Sequence, residues 1–157
     1  MRPTSEALRA AWMDWMRDDL AGARILDLFA GTGALGLESL SRGAASVDFV
    51  EYGAEALHAL KANRAKLRVT RTSRLFKKDV FGFLDGVGEG AYDLAFADPP
   101  YSSRMSERLV ERWLALPFSA VLSIEHSREL LLPGKGRRRV LDDSAVTTYR
   151  ATRKAGG

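Results

Sequence analysis

The segment Arg24-Ile25-Leu26-Asp27-Leu28-Phe29-Ala30-Gly31-Thr32-Gly33 constrains the fold of this chain more than any other. A short apolar strand runs straight into a glycine turn, and residues 34–42 read as a helix with Gly43 as its natural stop. A strand that passes so directly into a helix cannot pair with its successor as a hairpin. The next strand must return parallel through a right-handed crossover, and helices must cover both faces of the sheet.

The rest of the sequence repeats that order. Residues 47–51 predict a second strand, and 53–67 an amphipathic helix with Ala56, Leu57, Leu60 and Leu67 inward. A weaker third strand spans 74–78 and ends at Asp79. A short helix over 80–87 and a loop marked by Gly86, Gly88 and Gly90 precede the strong strand 92–97. Asp98-Pro99-Pro100-Tyr101 terminates that strand, a helix over 103–116 follows, and 120–125 is the fifth strand. Residues 138–141 and 146–152, joined by Asp142-Asp143-Ser144, read as an antiparallel hairpin. Ahead of all this, Thr4 or Ser5 caps a helix running to about Leu20, with Leu8, Trp12, Trp15 and Met16 on one face. The expected fold class is α/β, with a mostly parallel seven-stranded sheet and a C-terminal antiparallel hairpin. It forms one domain over 1–157, a helical leading segment (1–22) followed by a core (23–157).

Composition removes several classes of chemistry. With no cysteine, there is no disulfide framework, thiolate nucleophile or cysteine zinc site, and two histidines support no metal centre. No apolar run approaches the roughly 18 residues of a membrane span. Met1-Arg2-Pro3-Thr4 lacks the layout of a signal peptide, so the expected location is the cytoplasm. The net charge of +4 is unevenly spread. Arg64, Lys66, Arg68, Arg71, Arg74, Lys77 and Lys78 fall in one stretch without an acid. A second cluster, Lys135-Gly136-Arg137-Arg138-Arg139, is followed by Arg150, Arg153 and Lys154. Each cluster reads either as a solvated face or as the footprint of a polyanion. Trp12, Trp15 and Trp113 read as packing residues, and His58 and His126 as bystanders.

In open α/β sheets, ligands bind beyond the carboxyl ends of the strands. The unusual residues of this chain gather there: Asp27 to Gly33 after the first strand, Glu51 after the second, Asp79 after the third, Asp98 to Tyr101 after the fourth. Gly31-Thr32-Gly33-Ala34-Leu35-Gly36 matches G-x-G-x-x-G, and Glu51 follows at the spacing of an acid that binds ribose hydroxyls. A dinucleotide or S-adenosylmethionine fits this much equally. Asp27 separates them, because a carboxylate beside the loop repels a pyrophosphate and attracts an ammonium group. S-adenosylmethionine carries an amino group and a sulfonium and no phosphate. The expected cofactor residues are therefore Asp27, Phe29, Gly31, Thr32, Gly33, Glu51 and Asp79, with Asp79 facing the adenine amino group. Asp27 also reads as a cap for the loop amides, and Asp79 as a helix N-cap.

Asp98-Pro99-Pro100-Tyr101 is the expected catalytic motif. Consecutive prolines fix φ and hold their predecessors extended, so the Asp98 carboxylate and Pro99 carbonyl stand as neighbouring acceptors. Two such acceptors can hold the hydrogens of an exocyclic amino group on a base and aim its lone pair at a methyl donor. Tyr101 offers an aromatic face for a base turned out of its stack.

Residues 27–38 (Asp-Leu-Phe-Ala-Gly-Thr-Gly-Ala-Leu-Gly-Leu-Glu), Ser41-Arg42-Gly43-Ala44 and Asp98-Pro99-Pro100-Tyr101 together resemble the bacterial 16S ribosomal RNA guanine methyltransferases of the RsmD type. Arg2-Pro3-Thr4 and Arg9 resemble that family's leading motif. The resemblance implies a class I, Rossmann-like methyltransferase fold, S-adenosylmethionine as donor, and a guanine 2-amino group of 16S ribosomal RNA as acceptor. It further implies a 30S assembly intermediate as substrate; the expected state of the chain is a monomer. Members usually carry a basic, glycine-containing segment ahead of the Arg-Pro-Thr, where this sequence starts, and an acid where Ala10 stands. The rival readings are a DNA adenine amino methyltransferase, a nicotinamide-dependent oxidoreductase and a silent RNA-binding module. The first lacks room for a target-recognition module, the second gives the Asp98 motif no role, and the third leaves an intact acceptor motif unexplained.

Overall fold

The computed structural model describes residues 5–101 and 104–152. Arg2-Pro3-Thr4, Arg153 and Lys154 lie outside them. Ser5 opens α1 (Glu6–Trp15), its side chain accepting from the Leu8 amide at 3.1 Å. That bond satisfies one of the amides that a helix start leaves without an internal partner. The helix stops short of Leu20: a 3-10 turn over Arg17–Asp19 tightens the chain, and Leu20 and Ala23 drop into the core.

β1 (Arg24–Leu28), β2 (Ser46–Val50), β3 (Ser73–Phe76), β4 (Tyr92–Ala97), β5 (Ser119–Ser127), β6 (Arg137–Leu141) and β7 (Ser144–Arg150) form one seven-stranded sheet in the order β3-β2-β1-β4-β5-β7-β6. β1 pairs in parallel with β2 and β4, β2 with β3, and β4 with β5. β7 runs antiparallel to both β5 and β6. The α/β class, the mostly parallel sheet and the closing hairpin follow the expectation. Strand order reverses between β1 and β4, which is where such a sheet opens a crevice at its carboxyl edge.

α1 and α2 (Ala34–Ser41) cover one face, with Trp12, Met13 and Leu37 packed on Val47, Phe49 and Phe96. The Trp12 ring meets Phe96 edge-on at 5.4 Å, and its Nε1 donates to Ser123 Oγ at 2.7 Å. α4 (Val80–Leu84) and α5 (Met105–Ala115) cover the other face through Leu84, Leu109, Val110 and Trp113. Trp12 and Trp113 are thus core residues, whereas Trp15 is half-buried at the rim. His126 is buried as well: Nδ1 lies 2.9 Å from the Ser127 carbonyl oxygen and Nε2 2.7 Å from Thr147 Oγ1. Burial pushes its pKa down, consistent with a structural role.

α3 (Ala54–Leu67) departs from its expected inner face. Leu57 and Leu60 are buried, but Leu67, the last residue of the helix, is 56% exposed, and the helix ends at Arg68 with φ of 57°. The first basic stretch is likewise contiguous only in sequence. Arg64 donates to the Ser73 hydroxyl at 2.9 Å and carbonyl at 3.0 Å. Arg74 grips the buried Asp48 through two bonds of 2.8 and 2.6 Å, and the Tyr92 hydroxyl donates to the same carboxylate at 2.6 Å. Arg68 and Arg71 precede β3, at the amino edge of the sheet, while Lys77 and Lys78 follow it at the carboxyl edge. Among the described residues no helix is long and apolar enough to cross a membrane.

Candidate active site

Leu28, the last residue of β1, pairs with Val50 on one side and Ala97 on the other. Glu51 and Asp98 are the next residues of their chains, so they flank the backbone as it leaves β1. That departure needs unusual dihedrals: Phe29, Gly31 and Gly33 have φ of 56°, 59° and 85°. Only glycine adopts such values freely, and a non-glycine residue held there marks a position the surroundings over-determine. The Ala30 amide donates to the Val50 carbonyl at 3.1 Å and the Gly33 amide to the Ala30 carbonyl at 2.9 Å, closing the turn.

Side chains from neighbouring elements hold this loop. Glu51 Oε1 accepts from the Gly31 amide at 2.7 Å, and its Oε2 accepts from Tyr52 at 3.0 Å and Gly53 at 2.8 Å. Asn63 of α3 donates to the Thr32 carbonyl at 3.0 Å, a support the sequence reading did not include. Asp27 is 2% exposed and accepts from the Gly36 amide at 3.0 Å. Burial pushes its pKa well up, against the Gly36 bond, and the charges of Asp98 and Glu51 push the same way. Burial thus favours the neutral form of Asp27, and the charges beside the loop are those of Glu51 and Asp98, which disfavour phosphate and favour a cation there. Asp79 accepts from the Gly82 amide at 3.0 Å and caps α4. Asp79 thus makes the bond of its capping reading, whereas Asp27 accepts from the first turn of α2 and not from a loop amide; each carboxyl keeps further lone-pair sites for other partners.

Asp98 is half-buried, Pro99 buried, and Pro100 and Tyr101 half-buried. The Tyr101 hydroxyl donates to Glu125 Oε2 and also meets Ser144 Oγ, both residues buried at the carboxyl end of the β5–β7 ladder. The motif is thereby tied to the sheet at its far end as well as at its start. Glu125 and Ser144 escaped the sequence reading; the available signal was a glutamate closing the run 120–125, whose other residues except Ser123 are apolar. Tyr101→Phe is expected to destabilise the protein by about 1–3 kcal/mol, since it strips this donor from a buried carboxyl group. Urea denaturation checks it, and an unchanged midpoint would mean that the anchor adds nothing to stability. No group of His, Asp and Glu among the described residues is arranged to hold a metal ion.

The geometry agrees with relatives found by sequence and by structure. The family model described as conserved hypothetical protein 95 matches residues 1–144. The chain is 32% identical over 138 residues to the ribosomal RNA small subunit methyltransferase D of Escherichia coli K12, covering 85% of this chain and 68% of that protein. A hypothetical protein of Thermus thermophilus superposes with a TM-score of 0.82 at 31% identity, over 96% of this chain and 88% of the other. An RNA methyltransferase of Salinibacter ruber, solved with S-adenosyl-L-homocysteine, shares the fold at a TM-score of 0.73 and 12% identity, over 95% and 93% of the two chains. With its glycine loop, flanking acids and terminal hairpin, the chain belongs to the conserved hypothetical protein 95 family, that of the RsmD-type small-subunit ribosomal RNA methyltransferases.

Proposed function

We propose that this protein transfers a methyl group from S-adenosylmethionine to the exocyclic 2-amino group of a guanine in 16S ribosomal RNA. The observation that carries the reading is the register at the switch point. Glu51 and Asp98 stand one residue past the paired ends of β2 and β4, on either side of the glycine loop. Family membership and the ribosomal RNA small subunit methyltransferase D of E. coli support methylation of ribosomal RNA, and a protein of the same fold from S. ruber holds S-adenosyl-L-homocysteine, what this donor becomes once its methyl group has left.

The residues present suit the donor. A Cβ built on Gly31 meets nothing within 4 Å, so the outer side of the loop is open to a ligand. When bound, S-adenosylmethionine supplies an electrophilic methyl group on a sulfonium. Asp27 would accept a hydrogen bond from its amino group, Glu51 would accept from its ribose hydroxyls, and Asp79 would accept from its adenine amino group. Phe29, Gly31, Thr32 and Gly33 line its seat. Asp98 and the Pro99 carbonyl hold the two hydrogens of the target amino group, directing the nitrogen lone pair toward the loop. Alignment of this sort lowers barriers by up to about 7–11 kcal/mol in favourable model systems. Asp98 also stabilises the positive charge that grows on nitrogen and takes the proton afterwards. Pro100 keeps the segment extended, and Tyr101 presents its ring to the base while its hydroxyl stays on Glu125.

The working form is a monomer, a single domain acting in the cytoplasm on a 30S assembly intermediate. Labelled methyl transfer tests the reading, with undermethylated 30S particles, naked 16S ribosomal RNA and DNA offered in parallel and the product mapped. Label on a guanine N2 of the particle is expected. Label confined to adenine in DNA, or none with any acceptor, refutes it. A nicotinamide-dependent reaction is disfavoured because it leaves the motif from Asp98 to Tyr101, anchored on Glu125, without a role.

A further inference from the structure

The second basic cluster behaves differently from the first. β6 and β7 alternate in and out of the sheet, so Arg137 and Arg139 share the α1 face with Thr148 and Val146, their register partners. There Lys135, Arg137, Arg139 and Arg150 converge with Trp15 and Met16 around a hollow of about 290 Å³ whose lining contains no acid. The Arg139 guanidinium lies 5.3 Å from the centre of the Trp15 ring. Of the three acids in the adjoining hollow, Asp19 takes two bonds from Arg150, at 2.8 and 2.9 Å, and Asp14 pairs with Arg42 at 3.1 Å, while Asp18 stands on its α1 side. Lys135, Arg137 and Arg139 have no ion-pair partner among the described residues.

Position gives the cluster its meaning. Arg139 is level with Val146, which pairs with Glu125, the anchor of Tyr101. Arg137 is level with Thr148 and Ser123, and Arg150 pairs with Val121. The cations thus descend from the carboxyl edge of the sheet, and the five residues from Val146 to Arg150 span about 13 Å of strand. Basic residues on an edge strand also guard it against pairing with other chains. Edge protection does not account for the gathering of Lys135, Arg150 and an indole, drawn from a loop, another strand and a helix, around the same hollow.

We infer that this face binds the phosphate backbone of the substrate RNA, as a second contact continuous with the methyl-transfer site; the inference rests on the reading of the protein as an RNA methyltransferase. Phosphate is the complement of a row of guanidinium and ammonium groups, and the half-buried indole offers a wall against which a base or ribose can lie. The cations set the grip and the position of the RNA, and the Asp98 motif selects the reacting group.

The test is RNA binding by the full chain, with naked 16S ribosomal RNA as probe at several salt concentrations. The variant combines Lys135→Ala, Arg137→Ala and Arg139→Ala. Its affinity is expected to fall at least about tenfold near 0.1 M salt, and its salt slope by roughly 2–3, at about 0.7–0.9 per lost phosphate contact. S-adenosylmethionine affinity stays unchanged. A charge-retaining variant (Arg137→Lys with Arg139→Lys) keeps most of the slope, so loss of fold is distinguished from loss of charge. Unchanged RNA affinity and slope in the alanine variant overturn the inference. So does a loss seen only with 30S particles, which assigns the face to a ribosomal protein. None of these readouts requires methyl transfer, so a protein that methylates no RNA yet loses its salt slope in the variant refutes the function and retains the surface.

Discussion

Asp98→Ala is expected to slow single-turnover methyl transfer by about a hundred- to a thousand-fold or more, the scale on which removal of one pre-aligned electrostatic group acts. S-adenosylmethionine affinity should stay within several-fold of wild type. The two effects separate because Asp98 stands across β1 from Glu51, on the acceptor side of the loop, and its charge acts on Asp27. Removing that charge eases the repulsion on Asp27 and leaves the Gly31–Glu51 and Gly36–Asp27 bonds in place. Asp98→Asn sharpens the experiment. It retains an oxygen acceptor of the same length and loses the charge that opposes the growing cation, so its rate should fall between wild type and alanine. Rapid-quench measurement at saturating cofactor and RNA gives the chemical step, and calorimetry gives the cofactor affinity. Wild-type turnover in the alanine variant would rule out the acceptor-pair mechanism. A parallel collapse of cofactor affinity would move Asp98 into the cofactor site.

Gly33→Ala should cost about 2–5 kcal/mol of stability, from two sources. At φ of 85° an L residue is strained by roughly 1–2 kcal/mol. A Cβ at that position would also lie 2.2 Å from Leu60 Cδ1 and 3.3 Å from Phe49 Cε1. Both neighbours are fully buried, so relief requires repacking of α3 against β2, and overpacking of a filled core costs about 1–3 kcal/mol. Gly31→Ala is the control. Its φ of 59° carries the same backbone strain, but a Cβ there meets nothing within 4 Å. The difference in urea-unfolding free energy between the two variants isolates the steric part and should exceed about 1 kcal/mol. Equal destabilisation would mean that Leu60 swings aside freely and that Gly33 is required for its dihedral alone.

The glycine loop and the Asp98 motif were legible in the sequence because their geometry is local. Positive φ, a missing amide and an extended predecessor are steric consequences of glycine and proline in any context. The alternation of strands and helices was legible because burial on both faces imposes apolar runs of strand length. Helix ends were less so. The end of α1 depends on Leu20 and Ala23 reaching a core that sequence-distant strands build.

The sequence by itself determined which residues stand at strand ends, and with them the acids, the glycines and the rigid acceptor motif. Only the tertiary structure decided their company. It set Glu51 and Asp98 on either side of β1, tied Tyr101 to Glu125 and Ser144, took Arg64 and Arg74 out of the first basic stretch, and gathered Lys135, Arg137, Arg139 and Arg150 beside Trp15. The reason is physical. A residue's own backbone preference is local, whereas the register between strands is set by packing and hydrogen bonding among residues far apart in the chain.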